Sequence, residues 1–357
     1  MALQFFDGFD DYPGFANNSA LAVELFANNY NVNFNSIDLI AGLFGGNGIN
    51  VWEYGNSQNW EMLRIVPTPS TSFIAGVRVY VSGAGATGAL TFRDSAGGII
   101  AYINIVCNGS TSTLTVINHA GTTIATVSNA KIAQGLWTYL EAICTPGASG
   151  SLQIFVAGVL IYNGTGLSIA VNTGANICYV GMYQAGQNLV YFDDLYGCDT
   201  TGAAPFNTVL TAVAGVAGPR VYTVQPNSNN QSGWTPLSGT SNVAMVDEVQ
   251  FDGDSSYVFT TIAGSQDLYG IPAIAGITDI LAVQTSCIAR MDDSGTREVS
   301  MSIESGGTIY QGQTITMSGA YQKWEDIYIN DPNTGSAWLP SKFTSSGNIF
   351  IGPKCVE

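Results

Sequence analysis

Ile74-Ala75-Gly76-Val77-Arg78-Val79-Tyr80-Val81 sets Ala75, Val77, Val79 and Val81 on one side and Gly76, Arg78 and Tyr80 on the other. That period of two is the signature of a half-buried β-strand. Working outward, Ala89 to Arg93 follows a Gly-rich turn, and Asp94-Ser95-Ala96-Gly97-Gly98 leads into Ile99 to Val106 as a hairpin. Leu114 to Ile117 and Thr123 to Val127 flank Asn118-His119-Ala120-Gly121, and Trp137 to Cys144 alternates again. Leu152 to Val156 pairs with Val159 to Asn163 across Ala157-Gly158, and Cys178 to Tyr183 and Leu189 to Tyr196 follow. Upstream, residues 1–48 are rich in aromatics and Asn, and Ser19 to Phe26 is the one segment with a helical reading of a turn or two. Strand signals about 8–15 residues apart, with no helical period between them, predict an antiparallel sandwich or jelly roll.

Composition shifts near Gly197 to Pro205, and the stretch Gln225 to Pro236 is Pro- and Asn-rich loop. Strand signals resume at Ser256 to Thr261. Ile280 to Met291 and Glu298 to Glu304 then flank Asp292-Asp293-Ser294-Gly295. Thr308 to Tyr310, Thr314 to Met317, Trp324 to Ile329 and Ile349 to Ile351 complete the set. At 357 residues the chain is long enough for two domains at about 150 residues each. We therefore expect an all-β protein of two β-sandwich or jelly-roll domains in tandem, 1–202 and 203–357.

Charged residues make up 10% of the chain, against a usual share of about 25%, while 46% is hydrophobic. Gly, Asn, Ser and Thr fill the difference, which suits strands joined by tight turns rather than disorder. The net charge is −16, and no two basic residues are adjacent. A nucleic-acid partner needs a basic stripe, so that class is excluded. No apolar run approaches the ~18 residues that span a bilayer, which argues against membrane insertion. The N-terminal Met1 to Asp7 lacks the charged and apolar regions of a secretory signal, which predicts synthesis and folding in the cytoplasm. Six cysteines lie far apart with no CxxC, and buried free thiols are the expectation.

Phe6-Asp7-Gly8-Phe9-Asp10, Trp137-Thr138-Tyr139-Leu140-Glu141, the hairpin Gly150 to Tyr162 and Tyr191-Phe192-Asp193-Asp194-Leu195-Tyr196 resemble the concanavalin A-like lectin/glucanase (laminin-G-like) jelly roll. The resemblance implies that the first and last strands of this domain lie side by side. The second half resembles a domain that follows such jelly rolls in structural proteins of tailed bacteriophages. It does so at Val224-Gln225-Pro226, Gly233-Trp234-Thr235-Pro236, Val246-Asp247-Glu248, Asp254 to Val258, Gly264 to Tyr269 and Asp331 to Trp338. What this implies is a virion protein, on the tail or the capsid exterior. The first reading is a tail-associated part of a fibre, tip or baseplate that touches host-surface glycans. A capsid decoration protein that clamps the outer shell is the second reading. Both imply other virion proteins as partners and a homo-oligomer, by analogy a trimer.

Glucanases of this fold place paired carboxylates on one strand face as Glu-x-Asp-x-Glu, and no such run occurs. Glu53 and Glu61 stand isolated, and Glu141 has no acidic neighbour two or four positions away. The only histidine, His119, sits in a turn, and no zinc, Walker or Rossmann pattern appears. The sequence thus reads as non-enzymatic, with a glycan depolymerase a distant third. No cofactor is required on this reading. Calcium is the one ion with candidate ligands, since adjacent first and last strands would gather Asp7, Asp10, Asp193 and Asp194. Asp11 and the loop Asp252-Gly253-Asp254 add further carboxylates, and side-chain capping of turns is the competing role. Trp52, Tyr54, Trp60 and Tyr183 are candidate rings for stacking on sugars, with core packing the alternative.

Overall fold

The structure, a computed structural model, describes residues 3–10, 29–33, 36–43, 47–52, 60–85, 87–169, 176–185, 190–215, 218–249 and 251–357. The chain divides into two units. The first holds the described residues through Tyr222, the second those from Thr223 to Glu357. The segment predicted as helix, Ser19 to Phe26, lies outside the described residues.

The first unit begins with strands β1 (Leu3–Asp7), β2 (Tyr30–Asn33), β3 (Ser36–Ala41), β4 (Asn47–Trp52) and β5 (Trp60–Ser70). Next come β6 (Phe73–Val81), β7 (Thr87–Arg93), β8 (Ile99–Asn108), β9 (Thr111–Asn118) and β10 (Thr123–Ser128). It closes with β11 (Trp137–Thr145), β12 (Gly150–Val156), β13 (Val159–Leu167), β14 (Ile177–Ala185) and β15 (Val190–Asp199). One sheet has the order β13-β12-β11-β6-β15-β4-β3, with β1 also paired to β15. The other has the order β10-β9-β8-β7-β14-β5-β2. The expected hairpins β7–β8, β9–β10 and β12–β13 are all present and antiparallel. The first and last strands lie side by side, with Phe6 opposite Tyr196 and Asp7 opposite Leu195.

Alternation explains the core. Val77, Val79 and Val81 of β6, Leu140 and Ala142 of β11, and Phe192 of β15 are fully buried from the first sheet. Leu90 and Phe92 of β7, Ile103 and Ile105 of β8, and Val180 and Met182 of β14 are fully buried from the second. Two apolar faces thus pack into one layer, the arrangement of a β-sandwich.

The reading of β6 as half-buried needs correction, because its other face is covered as well: Arg78 is 1% exposed. The segment after β15 returns across that face as a strap, carrying one helical turn, Thr211–Ala214. Glu141 accepts the Thr211 N–H at 3.1 Å, the Thr211 hydroxyl, and the Tyr196 hydroxyl at 2.6 Å. Tyr196 in turn accepts the Leu210 N–H at 3.0 Å. Asp194 accepts Arg78 Nε at 2.8 Å and the Val221 N–H at 2.8 Å, and Arg78 Nη2 donates to the Pro219 carbonyl at 3.2 Å. Gly218 has φ of +76°, and a Cβ there would stand 2.5 Å from the Tyr139 ring, so only glycine lets the strap pass so closely. The break between units therefore falls after Tyr222 rather than near residue 202, because Leu210, Thr211, Pro219 and Val221 are bound to residues of the first sheet.

This cover sets a pH dependence. Burial, and then the neighbouring Asp194 charge, push the Asp193 carboxyl up to about 8 from an ordinary 3.8, with Asp10 adding to the rise. Burial also raises Glu141, against the pull of its hydroxyl and amide donors. A raised carboxyl keeps its proton in the folded state where the unfolded chain has lost it. The native state then binds more protons between about 4 and 8, so stability falls as pH rises through that window. We expect a higher melting temperature at about pH 5 than at about pH 9, and a flatter profile for Asp193→Asn. A profile that rises toward pH 9 would contradict this assignment.

The second unit holds β16 (Ser228–Ser232), β17 (Thr235–Pro236), β18 (Val258–Phe259), β19 (Asp267–Gly270) and β20 (Val283–Ala289). It ends with β21 (Glu298–Ser305), β22 (Thr308–Thr316), β23 (Gln322–Tyr328) and β24 (Ile349–Cys355). A five-stranded sheet, β16-β19-β24-β21-β22, is joined by the pairs β17–β18 and β20–β23. Ile271, Ile274, Ile303, Trp338, Phe343 and Ile349 form its core. The two strands flanking Asp292 to Gly295 are not hairpin partners: β20 pairs with β23, and β21 with β22 and β24. The chain is all-β, with its sheets in sandwich-like packing; among the described residues the helical pieces are the turn Thr211–Ala214 and the short 3-10 turns Val243–Met245 and Pro340–Lys342. All six cysteines are free thiols.

Candidate functional site

The strand order of the second sheet assembles a polar patch on its outward face. Around β14, Tyr183 lies opposite Glu61 of β5 and Ala89 of β7, Gly181 opposite Leu63 and Thr91, and Tyr179 opposite Ile65 and Arg93. On the far side of β7, Tyr102 of β8 is opposite Thr91, and Asn104 opposite Ala89. Their neighbours in sequence, Val180, Met182, Phe92 and Ile103, are the core residues, so this set points away from the core.

Glycine makes the centre. A Cβ at Gly181 would stand 2.6 Å from Glu61 Oε1 and would also overlap the Thr91 hydroxyl. With only hydrogen there, Glu61 reaches across β14 to the β7 residues. Thr91 donates to Oε1 at 2.7 Å, Arg93 Nε donates to Oε1 at 2.8 Å, and Arg93 Nη2 binds Oε2. Arg93 Nη1 is held by the Gly97 carbonyl at 2.7 Å. Beside this bidentate pair, the Tyr102 and Tyr183 rings meet edge-to-face at 4.8 Å, over β7. Burial pushes both phenols up, so both stay protonated at ordinary pH. Ile99 and Ile117 pack against the ring pair. Asn104 presents a buried Oδ1 with no hydrogen-bond partner. Aromatic rings next to fixed donors and acceptors are the components with which proteins hold polyhydroxylated ligands.

Glu61 is therefore not isolated. Its partners Thr91 and Arg93 are thirty and thirty-two residues away, and only the order β7-β14-β5 brings them together. Tyr183 is on this patch. The side chains of Trp52 and Trp60, and all of Glu53 and Tyr54, lie outside the described residues. Glu141 is a buried anchor for the strap. His119 sits half-buried in a turn shaped by Asn118, whose Oδ1 accepts the N–H groups of Ala120 and Thr122.

The four candidate calcium ligands are placed as follows. Asp7 is 4% exposed and accepts the Phe9 N–H at 2.9 Å and the Tyr30 hydroxyl at 2.8 Å. Asp193 accepts the Asp194 N–H at 2.7 Å, and Asp194 is committed to Arg78 and Val221. Asp10 is half-buried, near enough to Asp193 to raise it, and Asp11 lies outside the described residues. Among the described residues, no group of three or more His, Cys, Asp or Glu side chains is arranged to hold a metal ion. In the second unit, Asp254 binds Arg290 at 3.0 Å and accepts the Tyr321 hydroxyl, while Asp252 accepts Ser256 at 2.9 Å. No helix among the described residues is long and apolar enough to cross a membrane.

No family model matches the chain, and no curated protein matches it. Solved structures do resemble it. An alginate lyase, Aly36B, in complex with alginate trisaccharide is 11% identical, with a TM-score of 0.42 over 56% of this chain and 98% of that one. A carbohydrate esterase, vb_24B_21, from the Shiga toxin-encoding bacteriophage phi24B is 12% identical, with a TM-score of 0.38 over 55% and 99%. The carbohydrate-binding module CBM66 from Bacillus subtilis is 11% identical, with a TM-score of 0.34 over 48% and 96%. These are likenesses of fold alone. They also correct the reading of the chain as non-enzymatic, because two of the three structures are of enzymes that act on carbohydrate. The physical reason is that a missing Glu-x-Asp-x-Glu run excludes one hydrolytic arrangement only. Elimination or ester cleavage needs a positioned base or nucleophile, not paired carboxylates.

Proposed function

We propose that the first unit binds glycan through the outward patch on β5, β14, β7 and β8, and that the chain serves this role on a bacteriophage particle. The observation that carries the binding reading is the patch itself: the Glu61–Arg93 pair crossing Gly181, beside the Tyr102–Tyr183 rings and the partnerless Asn104 Oδ1. Among the structures of similar fold are a carbohydrate-binding module and a carbohydrate esterase, which agrees with it. Supporting the particle reading is the resemblance of the second half, whose shared segments form the framework of that unit. Asp267 accepts the N–H groups of Gly233 and Trp234, and Trp338 Nε1 donates to the Tyr328 carbonyl at 2.8 Å.

A glycan array with the full chain tests the binding, and products are read in parallel for new reducing ends and unsaturated sugars, which report cleavage. Tyr179→Ala and Asn104→Ala change half-buried positions on the patch. Each is expected to weaken binding about tenfold while leaving the melting temperature within a few degrees. Unaltered binding in both would place the site elsewhere. For the particle, the measurement is the copy number of this chain relative to the major capsid protein. Some dozens or fewer fit a tail fibre, tip or baseplate, and hundreds fit capsid decoration. The oligomer, proposed as a trimer, is read from the mass in solution.

A further inference from the structure

The patch is rich in acceptors and poor in available cations, and we propose that its ligand is a neutral, hydroxyl-rich glycan rather than an acidic one. This rests on the glycan-binding reading above and names the class of sugar.

Two independent observations carry it. The first is the basic residues. Residues 1–222 hold five of them: Arg64, Arg78, Arg93, Lys131 and Arg220. Arg64 is 3% exposed and lies between the Phe5 and Tyr30 rings, and Arg78 is buried against Asp194. Arg220 lies over the Tyr222 ring, and Lys131 is in the exposed loop after β10. Only Arg93 is on the patch, and Nε, Nη1 and Nη2 already donate to Glu61 and Gly97. Capture of a uronate carboxylate relies on such a guanidinium fork being open. Here the fork is closed by a carboxylate of the protein's own. The same residues carry twelve acidic groups, so a polyanion meets a repulsive field as it approaches.

The second observation is what the patch offers as acceptors. Asn104 Oδ1 is buried without a donor. Glu61 receives three hydrogen bonds and has room for a fourth. Both call for an O–H group. Sugar hydroxyls supply it, and the ring faces of a neutral pyranose suit the aromatic pair alongside. A carboxylate can only accept, so it would face these oxygens with lone pair against lone pair.

The test is direct binding of matched oligosaccharides to the full chain. Neutral glucan and galactan oligomers are compared with alginate and polyglucuronate oligomers at about 50 mM and about 200 mM salt. The expected result is binding of a neutral class at least about tenfold tighter than either uronate, with little change between the two salts. Glu61→Gln, which loosens the hold on Arg93, is expected to narrow that gap severalfold by improving uronate binding. Tighter binding of uronates by the wild-type chain, weakened by salt, would overturn the inference and leave the glycan-binding reading standing. Binding of neither class would overturn the glycan-binding reading itself.

Discussion

Arg78→Met is expected to destabilise the first unit by about 3–5 kcal/mol, because it strips the counter-charge from a carboxylate that water cannot reach. The side chains of Arg78 and Asp194 are 2% and 4% exposed. The guanidinium also donates to the Pro219 carbonyl and lies 5.0 Å from the centroid of the Tyr139 ring. Methionine fills much of the volume and removes all three interactions. At about 2–4 °C per kcal/mol for a unit of this size, the melting temperature should drop by about 10 °C. Calorimetry on the full chain checks it. Neutralising both partners, in Arg78→Met with Asp194→Asn, should recover part of the loss, since an apolar substitute can replace a buried ion pair at little cost. A single variant that melts within a degree or two of the wild type would mean that Asp194 is not held charged.

Asp267→Ala should cost the second unit a similar amount, about 3 kcal/mol or more. Asp267 is 0% exposed and is the hub of a loop. Its Oδ1 accepts the Gly233 N–H at 2.6 Å and the Trp234 N–H at 2.8 Å; its Oδ2 accepts Asn242 Nδ2 at 2.7 Å and the Tyr269 hydroxyl. Alanine leaves the Trp234 N–H and the buried Tyr269 hydroxyl without an acceptor, while the Gly233 N–H keeps the Gln266 carbonyl at 3.1 Å and Asn242 Nδ2 keeps the Trp234 carbonyl at 2.9 Å. Asparagine is the discriminating control. It keeps one oxygen for the two backbone amides but sets an NH2 against Asn242 and Tyr269, so an intermediate loss is expected. Equal losses in the two variants would assign the stability to charge rather than to the backbone amides.

The first unit's strands were legible because strand and turn signals are local. The alternation in residues 74–81 and the turns at Asp94–Gly98, Asn118–Gly121 and Ala157–Gly158 are read from neighbours in sequence, and each maps onto a strand or hairpin. The strap was not legible. Its anchors join Glu141 to Thr211 and Arg78 to Pro219, at separations of 70 and 141 residues, and nothing local marks Thr211 as a partner. The candidate site failed to show for the same reason. Glu61 looks solitary until β14 is placed between β5 and β7, and Gly181 looks like any other strand glycine until a carboxylate is seen to cross it. Tyr183 was visible as an aromatic with two roles open, and the Tyr102 ring opposite it completes the patch. In the second unit the signals gave strands but not partners, as the pairing of β20 with β23 shows.

The strap also decides how the first unit would respond to tension. A pull on the chain at Thr223 reaches Val221 first, where one N–H is held by Asp194, then Pro219 on Arg78, and only later Thr211 on Glu141. These bonds are loaded one after another, like the teeth of a zip, whereas the ladder between β15 and β6 would be loaded together. Residues 203–221 should therefore peel away before the sandwich yields, releasing about 60 Å of chain at about 3.4 Å per residue. The first unit would carry its own shock absorber, reset whenever the strap folds back onto the sheet.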